Sequence, residues 1–300
     1  MEDLVGPGQI NLTNCGEVKI IKHTNPRGVN QNFSYTSTLA GSQISCTTDT
    51  TPASFTLNDN GNTTGDSTAN TEDCTNVPIG SYTVTEGADP NGFVFGSLSC
   101  TATGSGSGSQ DGTVAKQANI TIAAGLDTVT CTYVNNQQLG AIKITKTSIK
   151  GTALAGATFS IKSGGTAISG SPFTTDANGE ICVDNLNFGD YSVQETAAPA
   201  GYNIDDSTAH TVTVDNNAKC SDDPYGGETF SATDTPLTDI TATATSEAPG
   251  GTQSSISCVD SSNADVGNSP QPATGFDDPV SVAANGLEPG TYTCTITIDP

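Results

Sequence analysis

The chain has 300 residues, with 9 Lys plus Arg against 32 Asp plus Glu, a net charge of −23, and a single methionine. So acidic a surface argues against nucleic acid and anionic membrane as partners, and no run of about 18 apolar residues is present to insert into a bilayer. Abundant Thr, Ser, Gly, Asn and Asp with few helix formers predict an all-β chain of strands and turns, long enough for two or three domains.

Residues 1–15 read as an N-terminal extension. Met1-Glu2-Asp3 is acidic where a secretory signal would be basic, so the expectation is a processed chain or a piece of a longer surface protein. The stretch Glu2 to Asn14, with Ile10 and Leu12, is a candidate donor strand for an adjacent subunit.

The first domain spans 16–136. Side chains two apart share a strand face, so Lys22 closes an apolar stripe begun by Val18 and Ile20. Glu86 follows Tyr82 and Val84 on one face, and Asn135 follows Cys131 and Tyr133 on another. The run Gly104-Ser105-Gly106-Ser107-Gly108-Ser109 predicts a flexible loop between two strands. The second domain, 137–236, repeats the order: Lys146 after Ile142 and Ile144, Glu195 after Tyr191 and Val193, and Asp234 after Phe230 and Ala232. Lysine, glutamate, then an amide or acid, all facing inward, are costly to bury unless they pair or react.

The third domain, 237–300, predicts a small Ig-like β unit without that chemistry. No lysine lies beyond Lys219, and Ile296 occupies the register of Glu86 and Glu195 relative to Tyr292. Turn pairs at Asn60-Gly61, Asn91-Gly92, Gly164-Gly165, Asn178-Gly179, Gly226-Gly227 and Gly250-Gly251 punctuate the chain at strand spacing. The prediction is tandem all-β sandwich domains in file, with about seven strands in each of the first two.

Nine cysteines without a C-x-x-C pair point to disulfides and an oxidising, extracellular setting rather than to zinc. Within domains the preferred pairs are Cys46 with Cys74, Cys100 with Cys131, Cys182 with Cys220, and Cys258 with Cys294. Cys15 is then left unpaired, although it competes with Cys46. A left-over Cys15 bonds an upstream domain or a neighbouring subunit, or stands as an orphan thiol. Asp- and Asn-rich loops at 58–62 and 176–179 do not match a calcium loop and read as turns. With only His23 and His210 as histidines, no Ser-His-Asp or metal triad assembles, so neither metal, cofactor nor turnover enzyme is expected.

Residues 140–236 resemble the Cna B-type, SpaA-like domains of Gram-positive pilins and adhesins. The likeness rests on Ile144-Thr145-Lys146, Leu154-Ala155-Gly156-Ala157-Thr158-Phe159, Thr175-Asp176-Ala177-Asn178-Gly179, and the E-box-like string Tyr191-Ser192-Val193-Gln194-Glu195-Thr196-Ala197-Ala198-Pro199-Ala200-Gly201-Tyr202. The first domain is similar but more divergent, through Lys22, the string Gly80 to Glu86, and Cys131-Thr132-Tyr133-Val134-Asn135. The resemblance implies a prealbumin-like sandwich in which the lysine forms an isopeptide bond with a last-strand Asn or Asp, assisted by the glutamate. By position the sets are Lys22, Asn135 and Glu86, and Lys146, Asp234 and Glu195, with Asp234 standing where asparagine is usual.

The expected function is a structural segment of a cell-surface or cell-wall adhesin, pilin-like stalk or extracellular filament. Its partners would be neighbouring domains of a longer surface protein or like subunits. The alternative is an adhesive tip that recognises a host protein or glycan.

Overall fold

The computed structural model describes residues 14–47, 53–244, 253–272 and 280–299. The proposed donor segment before Asn14, and Gly250-Gly251, lie outside them. The chain forms two compact units, residues 1–138 and 139–300.

The first unit contains ten strands among its described residues. They are β1 (Cys15–Asn25), β2 (Asn32–Ser37), β3 (Ser45–Cys46), β4 (Ser54–Asn58), β5 (Thr71–Pro78), β6 (Gly80–Glu86), β7 (Phe93–Thr103), β8 (Ser107–Gln110), β9 (Gln117–Ile122) and β10 (Thr128–Gln137). One sheet has the order β3-β5-β1-β10-β7 and the other β4-β2-β6-β9-β8. Strict alternation in β1 buries Val18, Ile20 and Lys22 on the inner face, where Phe33, Tyr35, Val84, Ile120 and Tyr133 fill the core. The first and last strands lie side by side and parallel, with Lys22 opposite Tyr133 and Thr24 opposite Asn135. That register puts Lys22 and Asn135 on the same face, one diagonal step apart.

The Gly-Ser run differs from its expectation. Gly104 is a turn residue at φ +74°, and Ser107–Gln110 is strand β8, paired with β9. Buried Asp127 accepts hydrogen bonds from the backbone amides of Ser105 (2.8 Å), Ala123 (2.9 Å) and Ala124 (2.7 Å). A Cβ on Gly108 would sit 2.7 Å from Val129 Cγ1 and 2.8 Å from Cys100 Cβ. These glycines mark close backbone approach rather than freedom.

In the second unit, residues up to Pro236 form nine strands rather than about seven. They are β11 (Leu139–Ser148), β12 (Thr158–Ser163), β13 (Thr166–Ala167), β14 (Phe173–Thr174), β15 (Glu180–Asn187), β16 (Gly189–Ala197), β17 (Tyr202–Ile204), β18 (His210–Val214) and β19 (Glu228–Pro236). The sheets run β15-β11-β19-β17 and β13-β12-β16-β18, with β14 also on β12. Again first and last strands are parallel, with Lys146 opposite Ala232 and Ser148 opposite Asp234. The extra strands in both sandwiches are two- to four-residue edge pieces too short to show a period of their own.

The rest of this unit holds β20 (Thr238–Ala244), β21 (Gln253–Val259), β22 (Val280–Leu287) and β23 (Thr293–Asp299), pairing β20 with β22 and β21 with β23. They enclose a small core of Ile256, Cys258, Val266, Val280, Val282, Ala284 and Leu287. Ser148 Oγ and Thr152 Oγ1 both donate to the Glu288 carboxylate, and the Leu237 amide donates to the Gly201 carbonyl (2.8 Å). Ile296 does not share the burial of Glu86 and Glu195. It is 49% exposed, on β23, whose single strand partner among the described residues is β21.

Three tyrosines share one device. Tyr82, Tyr191 and Tyr292 each donate their hydroxyl to the carbonyl four residues upstream, on Pro78 (2.8 Å), Asn187 (2.9 Å) and Glu288 (2.6 Å). The repeated Gly-x-Tyr strings are thus the same corner, which sets the phase of the strand that follows.

Candidate functional site

In the first sandwich, β1 and β10 of one sheet present Lys22 and Asn135, while β6 of the opposite sheet presents Glu86 across the core. Lys22 and Asn135 are 0% exposed and Glu86 is 3% exposed. Lys22 Nζ donates to Glu86 Oε1 (2.6 Å) and to Asn135 Oδ1, and sits 3.7 Å from the centroid of the Phe33 ring. Desolvation, only partly offset by Glu86, lowers the lysine pKa to about 8. A neutral amine is therefore far more accessible here than in water.

Asn135 cannot be turned over in this site. Its Oδ1 meets the lysine donor, and its Nδ2 donates to Asp89 Oδ1 (3.0 Å), which pairs with Lys116 Nζ at 2.7 Å. The Tyr35 hydroxyl donates to Glu86 Oε1 (3.1 Å). Burial and the Glu86 charge hold the tyrosine pKa well above its ordinary value, so Tyr35 stays a donor.

The second sandwich repeats the geometry with different electrostatics. Lys146 Nζ lies 2.6 Å from Glu195 Oε2 and 2.5 Å from Asp234 Oδ1, all three side chains being buried. Glu195 Oε1 and Asp234 Oδ2 have no donor. One ammonium cannot neutralise two carboxylates, and burial, reinforced by Asp234 against the pull of Lys146, raises the Glu195 pKa to about 7. Glu195 can therefore hold a proton and donate it. The residue opposite Glu195 on β12 is Phe159, where Tyr35 stands opposite Glu86, so no hydroxyl reaches this glutamate from that position. The Asp205 amide donates to Asp234 Oδ1 at 3.3 Å.

Each triad places an amine against the carbonyl-bearing group of a last-strand side chain, with an acid in contact with the amine. That arrangement supplies what amide condensation needs: a desolvated nucleophile, a fixed electrophile and a proton relay. All six residues singled out in the sequence fall into these two clusters.

The structure pairs Cys46 with Cys74, Cys100 with Cys131, Cys182 with Cys220 and Cys258 with Cys294, and leaves Cys15 as a free, half-buried thiol. Three of the four bridges join residues directly opposite one another on neighbouring strands. Cys46, Glu72 and Cys74 cluster within 4.8 Å, but both sulfurs are committed to a disulfide and are not free to bind a metal.

Family models for a SpaA prealbumin-like fold domain match residues 18–137 and 140–223. Through these two segments the chain belongs to the SpaA-type prealbumin-like domain family. The first match includes Asn135; the second ends before Asp234, so the acceptor strand of the second SpaA-type domain, like residues 237–300, lies beyond it. No curated protein sequence matches the chain. Among solved structures it is similar to the Bacillus anthracis TIE protein, at 18% identity and a TM-score of 0.55, over 95% of this chain and 45% of that one. It thus spans less than half of that relative. It is also similar to a C-terminal fragment of the pilus adhesin SpaC from Lactobacillus rhamnosus GG (16% identity, TM-score 0.42, 74% of this chain and 97% of that one). A third similar structure is BcpA, the major pilin subunit of Bacillus cereus (20% identity, TM-score 0.32, 54% and 58%).

Sequence reasoning missed three participants in the first SpaA-type site, Tyr35, Asp89 and the Lys116 that anchors Asp89. Tyr35 was legible only as one more inward residue after Phe33. Asp89 did carry a signal: in Glu86-Gly87-Ala88-Asp89-Pro90 it takes the place that Ala198 holds in Glu195-Thr196-Ala197-Ala198-Pro199.

Proposed function

We propose that this chain is a structural segment of an extracellular, surface-displayed protein of the pilin or adhesin-stalk type, in which each SpaA-type domain seals itself with an intramolecular isopeptide bond. The observation that carries the reading is the recurrence, in two sandwiches, of a fully buried lysine in hydrogen-bond contact with both a buried glutamate and a last-strand Asn or Asp.

In the first domain, Nζ of neutral Lys22 attacks Cγ of Asn135. The Nζ–Cγ bond forms, the Cγ–Nδ2 bond breaks, and Glu86 passes an Nζ proton to the departing nitrogen, releasing ammonia. In the second, Lys146 and Asp234 condense and two Nζ protons leave with one carboxyl oxygen as water, relayed by Glu195, which ends as it began. Each event occurs once, so the chemistry is self-modification and not turnover. Because the bond ties the first strand to the last, tension on the domain termini is borne by a covalent link.

The rival reading as an adhesive tip calls for exposed aromatic side chains in loops. The large hydrophobic residues exposed among the described residues are Ile79, Val94, Val114, Leu126, Ile149, Leu237 and Ile296, none of them aromatic. This favours the stalk.

The test is the intact mass of the fully reduced chain, with Glu86→Ala and Glu195→Ala variants beside it. The expected result is a deficit of one ammonia plus one water, the first lost in Glu86→Ala and the second in Glu195→Ala. A mass equal to the full sequence would overturn the reading.

A further inference from the structure

The two sites differ in what must leave, and the first contains a residue placed on the leaving atom. Asn135 Nδ2, the nitrogen that departs as ammonia if the cross-linking reading holds, donates to Asp89 Oδ1 at 3.0 Å. Asp89 is anchored in turn by Lys116, whose Nζ lies 2.7 Å from the same oxygen and donates to the Gly87 carbonyl at 3.2 Å. The Asp89 side chain is 29% exposed, whereas Lys22 and Asn135 are sealed at 0%. Asp89 thus stands between the reacting carboxamide and water.

We infer that Asp89 is the leaving-group residue of the first cross-link: it fixes the Asn135 carboxamide with its carbonyl toward Lys22 and receives the departing nitrogen on the solvent side.

Three features carry this. First, a carboxamide has two nearly isosteric ends, and only one orientation offers an acceptor to the lysine; a carboxylate on the other end selects it, because a carboxylate accepts and never donates when ionised. Second, the C–N bond breaks only if the nitrogen gains a proton, and an anionic acceptor 3.0 Å away stabilises the positive charge that then develops on it. Third, the second domain supplies an internal contrast. There the leaving atom is a carboxyl oxygen of Asp234, which has no N–H to offer, and Ala198 occupies the place of Asp89. The acid accompanies the amide and is missing where the amide is missing.

The balance is that of the condensation itself. Nζ–Cγ forms, Cγ–Nδ2 breaks, one Nζ proton reaches Nδ2 through Glu86, and ammonia departs past Asp89, which neither gains nor loses a covalent bond.

The inference rests on the cross-linking reading, and one experiment separates the two. The full chain is made by cell-free translation, sampled over time into acid, reduced, and weighed, as native protein and as Asp89→Ala and Asp89→Asn. Loss of ammonia is expected to slow by about tenfold or more in Asp89→Ala, the scale of a misplaced reacting group. Asp89→Asn, whose carbonyl can still accept from Nδ2 but which carries no negative charge, should fall between Asp89→Ala and the native rate. Added formate should partly restore Asp89→Ala, since the vacated space opens to solvent. Water loss at Lys146 and Asp234 in the same molecules reports that the chain has folded and should not change. Ammonia loss at the native rate in Asp89→Ala would overturn the role of Asp89 alone. A native chain that loses no ammonia would overturn the cross-linking reading for the first domain, and this inference with it.

Discussion

The Tyr35 hydroxyl donates to Glu86 Oε1 across neighbouring strands of the first sandwich, at 3.1 Å. In the second sandwich the same cross-strand position opposite Glu195 is Phe159. One chain therefore holds two versions of the triad, one with a hydroxyl on its glutamate and one without. Tyr35→Phe removes a hydrogen bond to a buried acid and should cost about 1–2 kcal/mol of stability when measured beside Asn135→Ala, where no cross-link can form. It should not prevent ammonia loss, because in the proposed reaction the second site condenses with Phe159 in that place. Chemical denaturation and intact mass together check both halves.

The proposed cross-links should dominate thermal stability. The Lys22 and Asn135 positions are 113 residues apart in sequence, and a covalent closure of such a loop restricts the unfolded chain by about 4–5 kcal/mol on the loop-entropy formula. For a domain of this size that is on the order of 20 °C in melting temperature. Asn135→Ala and Asp234→Ala should each lower the melting transition of their own domain by roughly that amount, read by calorimetry under non-reducing conditions.

The two sites should respond to pH in opposite senses. In the first the neutral amine is needed, and the lysine pKa is lowered to about 8 by desolvation, so ammonia loss should accelerate as pH climbs toward that value and level beyond it. In the second the protonated acid is needed, and the Glu195 pKa is raised to about 7 by burial and by Asp234, so water loss should slow as pH rises through neutrality. Time-resolved intact mass on chains synthesised at several pH values separates the two losses. Parallel pH profiles would show that one of these two groups does not limit its reaction.

Packing over the Cys100–Cys131 bridge should be intolerant of a side chain at Gly108. A Cβ there meets Val129 and Cys100 at under 3 Å, and both neighbours are held in strands joined by the disulfide. Gly108→Ala should destabilise the first domain by about 1–3 kcal/mol, with Gly112→Ala, where a Cβ meets nothing within 4 Å, as the neutral comparison.

Much of the fold was legible because its signals are local. Alternation in Val18-Lys19-Ile20-Ile21-Lys22 fixes which face of β1 is buried, and the Gly-x-Tyr strings set the phase of β6 and β16 through a hydrogen bond only four residues long. The glycine-serine run misled because composition alone does not distinguish glycines that permit motion from glycines that permit contact. Asp59 was read only as part of a turn, and the structure adds that it is 0% exposed and accepts from the Thr24 and Gly28 amides and from Arg27. Those partners lie more than thirty residues away, beyond any local pattern.

Strand periodicity alone settles the inward-facing set: the period is two, so Lys22, Glu86 and Asn135, and likewise Lys146, Glu195 and Asp234, had to share faces with their apolar neighbours. Which atoms meet depends on the packing of the sheets. The parallel pairing of β1 with β10 and of β11 with β19 brings each lysine diagonally beside its acceptor, and the facing sheet delivers the glutamate. Tyr35, Asp89 and Lys116 then join the first site through contacts spanning about thirty to fifty residues. Such contacts follow from strand register and sheet stacking, which are properties of the packed whole and have no counterpart in any short stretch of chain.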